Sequence, residues 1–81
     1  MAQIDIRNLT KVNKERNTVH DQVYATYTVF DNSGEKYLQI DTYGKPACEN
    51  PEKISQSFQF IREVAAYLAN LLIEEFELIF Q

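Results

Sequence analysis

Hydrophobic and polar residues alternate with a period of two from near the N-terminus to Phe60, in four segments separated by turn-forming clusters. Such alternation, enriched in β-branched and aromatic residues, is typical of strands that bury one face. The segments cover about 3–13, 20–30, 36–43 and 53–60. The sharpest turn signal is Asp31-Asn32-Ser33-Gly34, where the glycine can supply the positive φ of a hairpin. The pattern predicts a four-stranded antiparallel meander.

After Phe60 the apolar residues recur at steps of three and four, which predicts one C-terminal helix over about 61–80 and an α+β fold. The apolar arc of this helix spans roughly 200°, about twice the width needed to cover one sheet. Either a strongly curved sheet wraps around the arc, or a second copy covers the surplus. Three or four large apolar side chains left in water would each cost about 1.5–3 kcal/mol, which a marginally stable domain can hardly sustain. We therefore expect a homodimer through the helix residues Tyr67, Leu71 and Leu78, with Phe80 as a further candidate.

The chain of 81 residues has room for one domain, 1–81, with one core. Cys48 is the only cysteine and His20 the only histidine, which excludes an internal disulfide and a closed zinc site of about four ligands. The sequence contains no nucleophile paired with a base and no glycine-rich phosphate loop. Adjacent glutamates on the helix are typical of solvating charge, since a glycosidase pair requires a cleft. We expect no enzyme activity, no metal and no cofactor.

The segment Met1–Asp5 has neither a basic flank nor an apolar run, so the sequence predicts no signal peptide. No stretch reaches the roughly 20 apolar residues that a membrane span requires. We therefore expect a cytoplasmic protein with no membrane contact.

If one side of each strand packs on the helix, the other side forms an open face. Its expected residues are mostly hydroxyls, amides and tyrosines: Asp5, Arg7, Lys11, Tyr24, Thr26, Thr28, Tyr37, Gln39, Asp41, Tyr43, Ser55, Ser57 and Gln59. An ordinary solvated sheet face has a similar composition, because Thr and Tyr favour strands in general. The composition also suits single-stranded nucleic acid, since tyrosines stack on bases and hydroxyls and amides bond to them. A protein ligand fits as well.

Charge alone does not choose between these ligands. The net charge of −4 opposes strong attraction to phosphates. However, the basic residues concentrate in the first strand and the turns, whereas three glutamates lie near the end of the helix. The expected contacts are Arg7, Lys11, Lys45 and Lys53 with phosphates, and Tyr24, Tyr37 and Tyr43 with bases.

Two segments carry a resemblance to known families: residues 37–44, Tyr-Leu-Gln-Ile-Asp-Thr-Tyr-Gly, and residues 53–60, Lys-Ile-Ser-Gln-Ser-Phe-Gln-Phe, which lead into the helix. They resemble a group of small bacterial and phage proteins of unassigned function with a strand–loop–strand–helix signature. More remotely, they resemble the positive cofactor four family of single-stranded DNA-binding coactivators. That resemblance implies four strands and a helix, dimerisation through the helix, and DNA binding on the sheet.

The resemblance carries three contacts over to this chain, Tyr43, Lys53 and Ser55. The family has an arginine just after its Ile-Asp pair, where this chain has Thr42 and Tyr43. The sequence as a whole predicts a non-catalytic binding module, in first place a homodimeric single-stranded nucleic-acid-binding protein that uses the open face. The alternative is a protein-interaction module, such as a phage- or defence-associated inhibitor or adaptor, that uses the same face or the helix.

Overall fold

The computed structural model describes residues 1–44 and 53–79, which form a four-stranded, mostly antiparallel sheet followed by a C-terminal helix. The elements in chain order are β1 (Ala2–Gln3), β2 (Ala25–Asn32), β3 (Glu35–Tyr43), β4 (Ile54–Phe60) and α1 (Arg62–Glu75). Across the sheet the order is β1-β4-β3-β2. The α+β fold class predicted from the two hydrophobic periods is confirmed.

The hairpin β2–β3 forms where the turn signal predicted it. Ser33 and Gly34 have φ angles of 53° and 81°, so both central residues of this two-residue turn are left-handed, as in the turn type that matches strand twist. Strand β2 begins at Ala25, opposite Thr42 of β3, rather than near residue 20.

The first strand differs from its prediction over 3–13. Strand β1 is only two residues long and pairs in parallel with β4, with Ala2 opposite Phe58. It therefore lies at the edge of the sheet farthest from β2, and the predicted meander order is wrong for this strand. The Asp5 carboxylate accepts a hydrogen bond from the backbone N–H of Arg7 (3.0 Å) and caps a 3-10 helix at Ile6–Asn8. A capping aspartate offers the backbone this alternative to a ladder, which explains why the strand stops.

Helix α1 begins after Ile61 without a side-chain cap, and it ends earlier than the predicted residue 80. Glu77 adopts a left-handed φ of 51°, and the N–H of Leu78 donates to the carbonyl of Ile73 (3.0 Å). This is the Schellman arrangement that terminates helices. The predicted helical residue Phe80 lies outside the described residues.

The helix packs on one face of the sheet, near its own N-terminus. The ladders place Val29, Leu38 and Phe60 side by side on this apolar face, where they line a shared cavity with Ala65 of α1. Within the described ranges, Phe60 and Val64 are the only buried apolar side chains. The core of the isolated chain is therefore small.

Candidate functional site

The sheet face opposite the helix carries the aromatic and polar side chains of the candidate site. Alternate positions of the three long strands point to this side, which we call the tyrosine face. Its residues are Tyr24 just before β2, Thr26, Thr28 and Phe30 along β2, Tyr37, Gln39, Asp41 and Tyr43 along β3, and Ser57 and Gln59 on β4. Phe30 was missing from the expected set, although it has the same alternation as Thr28.

Two aromatic pairs lie at opposite ends of the tyrosine face. The rings of Tyr24 and Tyr43 are 5.2 Å apart and tilted by 43°, and those of Phe30 and Tyr37 are stacked at 5.3 Å and 9°. All four side chains are half-buried. Because Tyr37 and Tyr43 are six residues apart on one strand, the pairs are separated by about 20 Å. The face thus has an aromatic platform at each end.

A chain of hydrogen bonds fills the space between the aromatic pairs. Gln59 Nε2 donates to Gln39 Oε1 (2.7 Å), and Gln39 Nε2 donates to Asp41 Oδ1 (2.9 Å). Ser57 Oγ donates to the same carboxylate oxygen (2.5 Å). Asp41 and Ser57 are only 6% and 7% exposed. The centre of the face is therefore a pre-formed polar ladder around a buried carboxylate.

Two of the cations expected on this face lie beside the helix instead. Arg7 lines a cavity with Ile61 and Val64, and Lys11 lines another with Tyr67 and neighbouring helix residues. They lie there because the predicted first strand ends before Asp5 and the chain then follows α1.

Asp5, also expected on the open face, is instead the N-cap residue of the 3-10 helix. The backbone N–H of Arg7, helped by the Asn8 side-chain amide (2.8 Å) and the Arg7 guanidinium (3.5 Å), holds the pKa of Asp5 below its usual value. The contact between the Arg7 guanidinium and the Asp5 carboxylate is the only ion pair among residues 1–44 and 53–79. Asp5 and Arg7 therefore partner each other locally.

The contacts carried over from the resemblance lie near the Tyr43 end of the sheet. A bulge there pairs Thr42 with Gln56 but Tyr43 with Ile54, which leaves Ser55 as the extra residue. Ser55 is exposed, as is Lys53 immediately before β4. Lys45 lies outside the described residues.

A second surface of interest is the uncovered apolar side of α1. The three residues expected at a dimer interface are partly exposed: Tyr67 (43%), Leu71 (36%) and Leu78 (42%). Leu72 of α1 and Phe76, the residue just after it, are exposed as well, and Leu78 also lies beyond the end of the helix. No apolar residue after Val64 reaches full burial in the described residues. The C-terminal half of α1 and the residues that follow it therefore keep part of their apolar surface exposed, next to the segment Leu9–Lys11 that lines the same cavity.

The molecular surface is large for the mass of the chain. The accessible area is 7517 Å² for a mass of 9.5 kDa, whereas a compact monomer of this mass exposes about 5,000 Å². The radius of gyration is 14.9 Å, against about 12 Å for a compact domain of this length. Residues 10–23 are all exposed, so this excess belongs to the N-terminal segment as well as to the helix.

Comparisons and searches for other kinds of site gave no positive finding. No protein-family model, curated protein or solved structure matches the chain. In the described part of the chain, no group of three or more His, Cys, Asp or Glu side chains is placed to hold a metal ion. Across the same residues, no helix has the length and apolar content needed to cross a membrane.

Proposed function

We propose that the chain is a non-catalytic, homodimeric module that binds a protein partner through the tyrosine face. One observation carries this proposal: two aromatic pairs flank a saturated polar ladder, and none of the strand rows that form the face contains a lysine or arginine. The partner is thus recognised by aromatic area and hydrogen bonds rather than by cations.

The composition and rigidity of the face suit a protein partner. Tyrosine gives a large contact area at a low entropic cost, and serine, threonine and amide side chains add hydrogen bonds. In this chain the rings already pack against each other in pairs, and Tyr43 Oη also lies 3.4 Å from Thr26 Oγ1. The loss of side-chain conformational entropy on binding a partner is therefore small.

Binding of single-stranded nucleic acid remains a prediction and is the second candidate function. Tyrosines could stack on bases, but affinity for single strands also requires cations along the backbone path. Arg7 and Lys11 lie beside the helix, and the centre of the face holds the Asp41 carboxylate, which repels phosphate. Of the expected cations, Lys53 is the one whose described position is near a tyrosine of the face.

The homodimer is supported by the uncovered half of α1. Burying Tyr67, Leu71 and Leu78 against a second copy would contribute about 1.5–3 kcal/mol for each fully buried apolar side chain. That contribution is large for a chain whose own described core holds two apolar side chains. A dimer through the helix leaves both tyrosine faces free, since each lies on the other side of its sheet.

The protein-partner proposal is tested by affinity capture from a nuclease-treated bacterial lysate. Tyr37→Ala should lower the amount of a captured protein by about tenfold, as expected when an aromatic contact worth about 1.4 kcal/mol is lost. Tyr37→Phe keeps the stacked ring and should retain most of the capture. Val19→Ala, at a residue 96% exposed and outside the face, is the matched control. Equal capture by wild type and Tyr37→Ala would contradict the proposal.

A further inference from the structure

The carboxylate of Asp41 uses only one of its two oxygens in the hydrogen bonds of the tyrosine face. Ser57 Oγ and Gln39 Nε2 both donate to Oδ1, and Oδ2 has no hydrogen-bond partner among residues 1–44 and 53–79. In the same ranges, no fully buried side-chain nitrogen or oxygen atom lacks a partner. Because Oδ2 lacks one, it is an atom that solvent still reaches. Asp41 thus offers a free acceptor to a ligand on the tyrosine face.

The negative charge of Asp41 has no counter-charge in the described part of the chain. Asp41 is only 6% exposed, and the one ion pair among the described residues joins Asp5 and Arg7. Both donors to Oδ1 are neutral, and an amide oxygen would accept the same two hydrogen bonds, so the polar ladder does not require the charge. A buried ion without a counter-charge is unfavourable, and a ligand that supplies a cation offsets this cost. The centre of the face therefore favours a cationic group on the ligand.

An aromatic ring lies beside this carboxylate. Tyr43 follows Asp41 by two residues on the same face of β3, a spacing of about 7 Å along the strand. The Tyr43 hydroxyl is 3.4 Å from Oγ1 of Thr26, the residue directly opposite Asp41 on β2. The Tyr43 side chain therefore leans back from its own row to the row of Asp41. A cation held by the carboxylate lies within reach of this ring, and a guanidinium can donate hydrogen bonds and stack on a ring at the same time.

We propose that Asp41 and Tyr43 bind an arginine side chain of the protein partner. The guanidinium donates to Asp41 Oδ2 and packs against the Tyr43 ring. Arginine fits better than lysine, because its planar guanidinium is more weakly hydrated than an ammonium group and stacks on aromatic rings. This inference rests on the proposed function insofar as the arginine belongs to a protein, and it adds the residue type that the centre of the tyrosine face selects.

The probe for this site is N-acetyl-L-argininamide, titrated into isotope-labelled protein while the backbone amide resonances are followed by NMR. A ligand of this size is expected to bind with a Kd of about 1 mM, and it should shift the resonances of Asp41, Tyr43 and Ser57 most. N-acetyl-L-citrullinamide has nearly the same shape but no charge. It should bind about tenfold more weakly or less, because it cannot form the charge-assisted hydrogen bond.

Variants of the protein test the two residues of the site. Asp41→Asn keeps an acceptor for Ser57 and Gln39 but removes the charge, so it should weaken binding of the arginine probe by about tenfold or more. Resonances unchanged away from the substitution show that this variant is folded. Asp31→Asn is the matched control and should leave binding within about twofold, since Asp31 is exposed and lies opposite Lys36, outside the tyrosine face. Tyr43→Leu keeps an apolar side chain without the ring and should weaken binding by about fivefold.

Equal binding of the arginine and citrulline probes, or no resonance shift at about 10 mM arginine probe, would overturn the inference. So would a wild-type dimer that dissociates in Asp41→Asn, since the arginine would then belong to a second copy. If the probe fails but capture from the lysate still depends on Tyr37, the arginine site alone is wrong. If the probe binds at Asp41 but capture is insensitive to Tyr37, the proposed function alone is wrong.

Discussion

The buried carboxylate at the centre of the tyrosine face provides a sharp test of how this face is built. Asp41 accepts hydrogen bonds from Ser57 and Gln39 but has no cation beside it among the described residues. In Asp41→Ala both donors lose their acceptor, and each unsatisfied buried donor costs about 1–3 kcal/mol. Asp41→Ala removes the buried charge just as Asp41→Asn does, so the cost of the two lost acceptor contacts is the difference between these variants. We therefore expect the free energy of unfolding of Asp41→Ala to lie about 2–6 kcal/mol below that of Asp41→Asn, a large part of the stability of a domain this small.

Asp41→Asn is the matched variant, and its expected effect is different. The amide oxygen still accepts both bonds, although each weakens from about 1.5–3 to about 0.5–1.5 kcal/mol when the acceptor is neutral. Against this loss, the substitution removes an unpaired buried charge, whose desolvation costs several kcal/mol. The two effects have similar size and opposite sign, so Asp41→Asn should lie within about 1 kcal/mol of wild type.

Urea unfolding followed by far-UV circular dichroism measures both variants. The protein concentration must be held constant, because the stability of a dimer depends on it. If Asp41→Ala and Asp41→Asn were both as stable as wild type, the role of the ladder would be refuted. An Asp41→Asn variant as unstable as Asp41→Ala would show that the negative charge itself, and not its acceptor capacity, stabilises the face.

Three further predictions concern backbone strain and ligand choice. Ser33→Asn, which gives the Asn-Gly pair preferred in this turn type, should raise the free energy of unfolding by about 0.5–1 kcal/mol in urea melts. Glu77→Gly should add about 1 kcal/mol by relieving the left-handed residue at the end of α1, whereas Glu77→Ala should add nothing. A labelled single-stranded oligonucleotide at low salt should show no anisotropy change even at protein concentrations of about 10–100 µM, where non-specific binders are detected. Binding with a strong dependence on salt would instead restore nucleic acid as the ligand.

The sequence predicts most of the sheet because alternation and turn chemistry act locally. The hairpin around Ser33 and Gly34 follows from the need for positive φ, and the strand residues Tyr37 and Tyr43 share a face because side chains alternate. The prediction of a first strand over 3–13 is wrong because the capping aspartate Asp5 competes with the hydrogen bonds of the sheet. Hydrophobic periodicity does not reveal this competition. The predicted end of the helix is wrong because Glu77 adopts the left-handed conformation that usually occurs at a glycine.

The same local failure removed three residues, Asp5, Arg7 and Lys11, from the predicted binding face. Arg7 and Lys11 belong to the open face only if residues 3–13 form a strand; once the chain turns at Asp5, both lie beside α1. The pairing of Ser57 with Asp41 also depends on the register between β3 and β4, which no single segment specifies. The sequence thus shows which residues of one strand share a face, whereas the pairing between strands becomes known only from the structure.

The proposal that a second copy covers the distal half of α1 is tested most directly by the mass of the protein in solution. Light scattering on a size-exclusion column at micromolar concentration should give twice the chain mass of 9.5 kDa for wild type. Leu71→Glu places a charge in the apolar helix surface and should return the mass to that of one chain. A wild-type protein that elutes with the mass of a single chain, its helix surface still in water, would contradict the account.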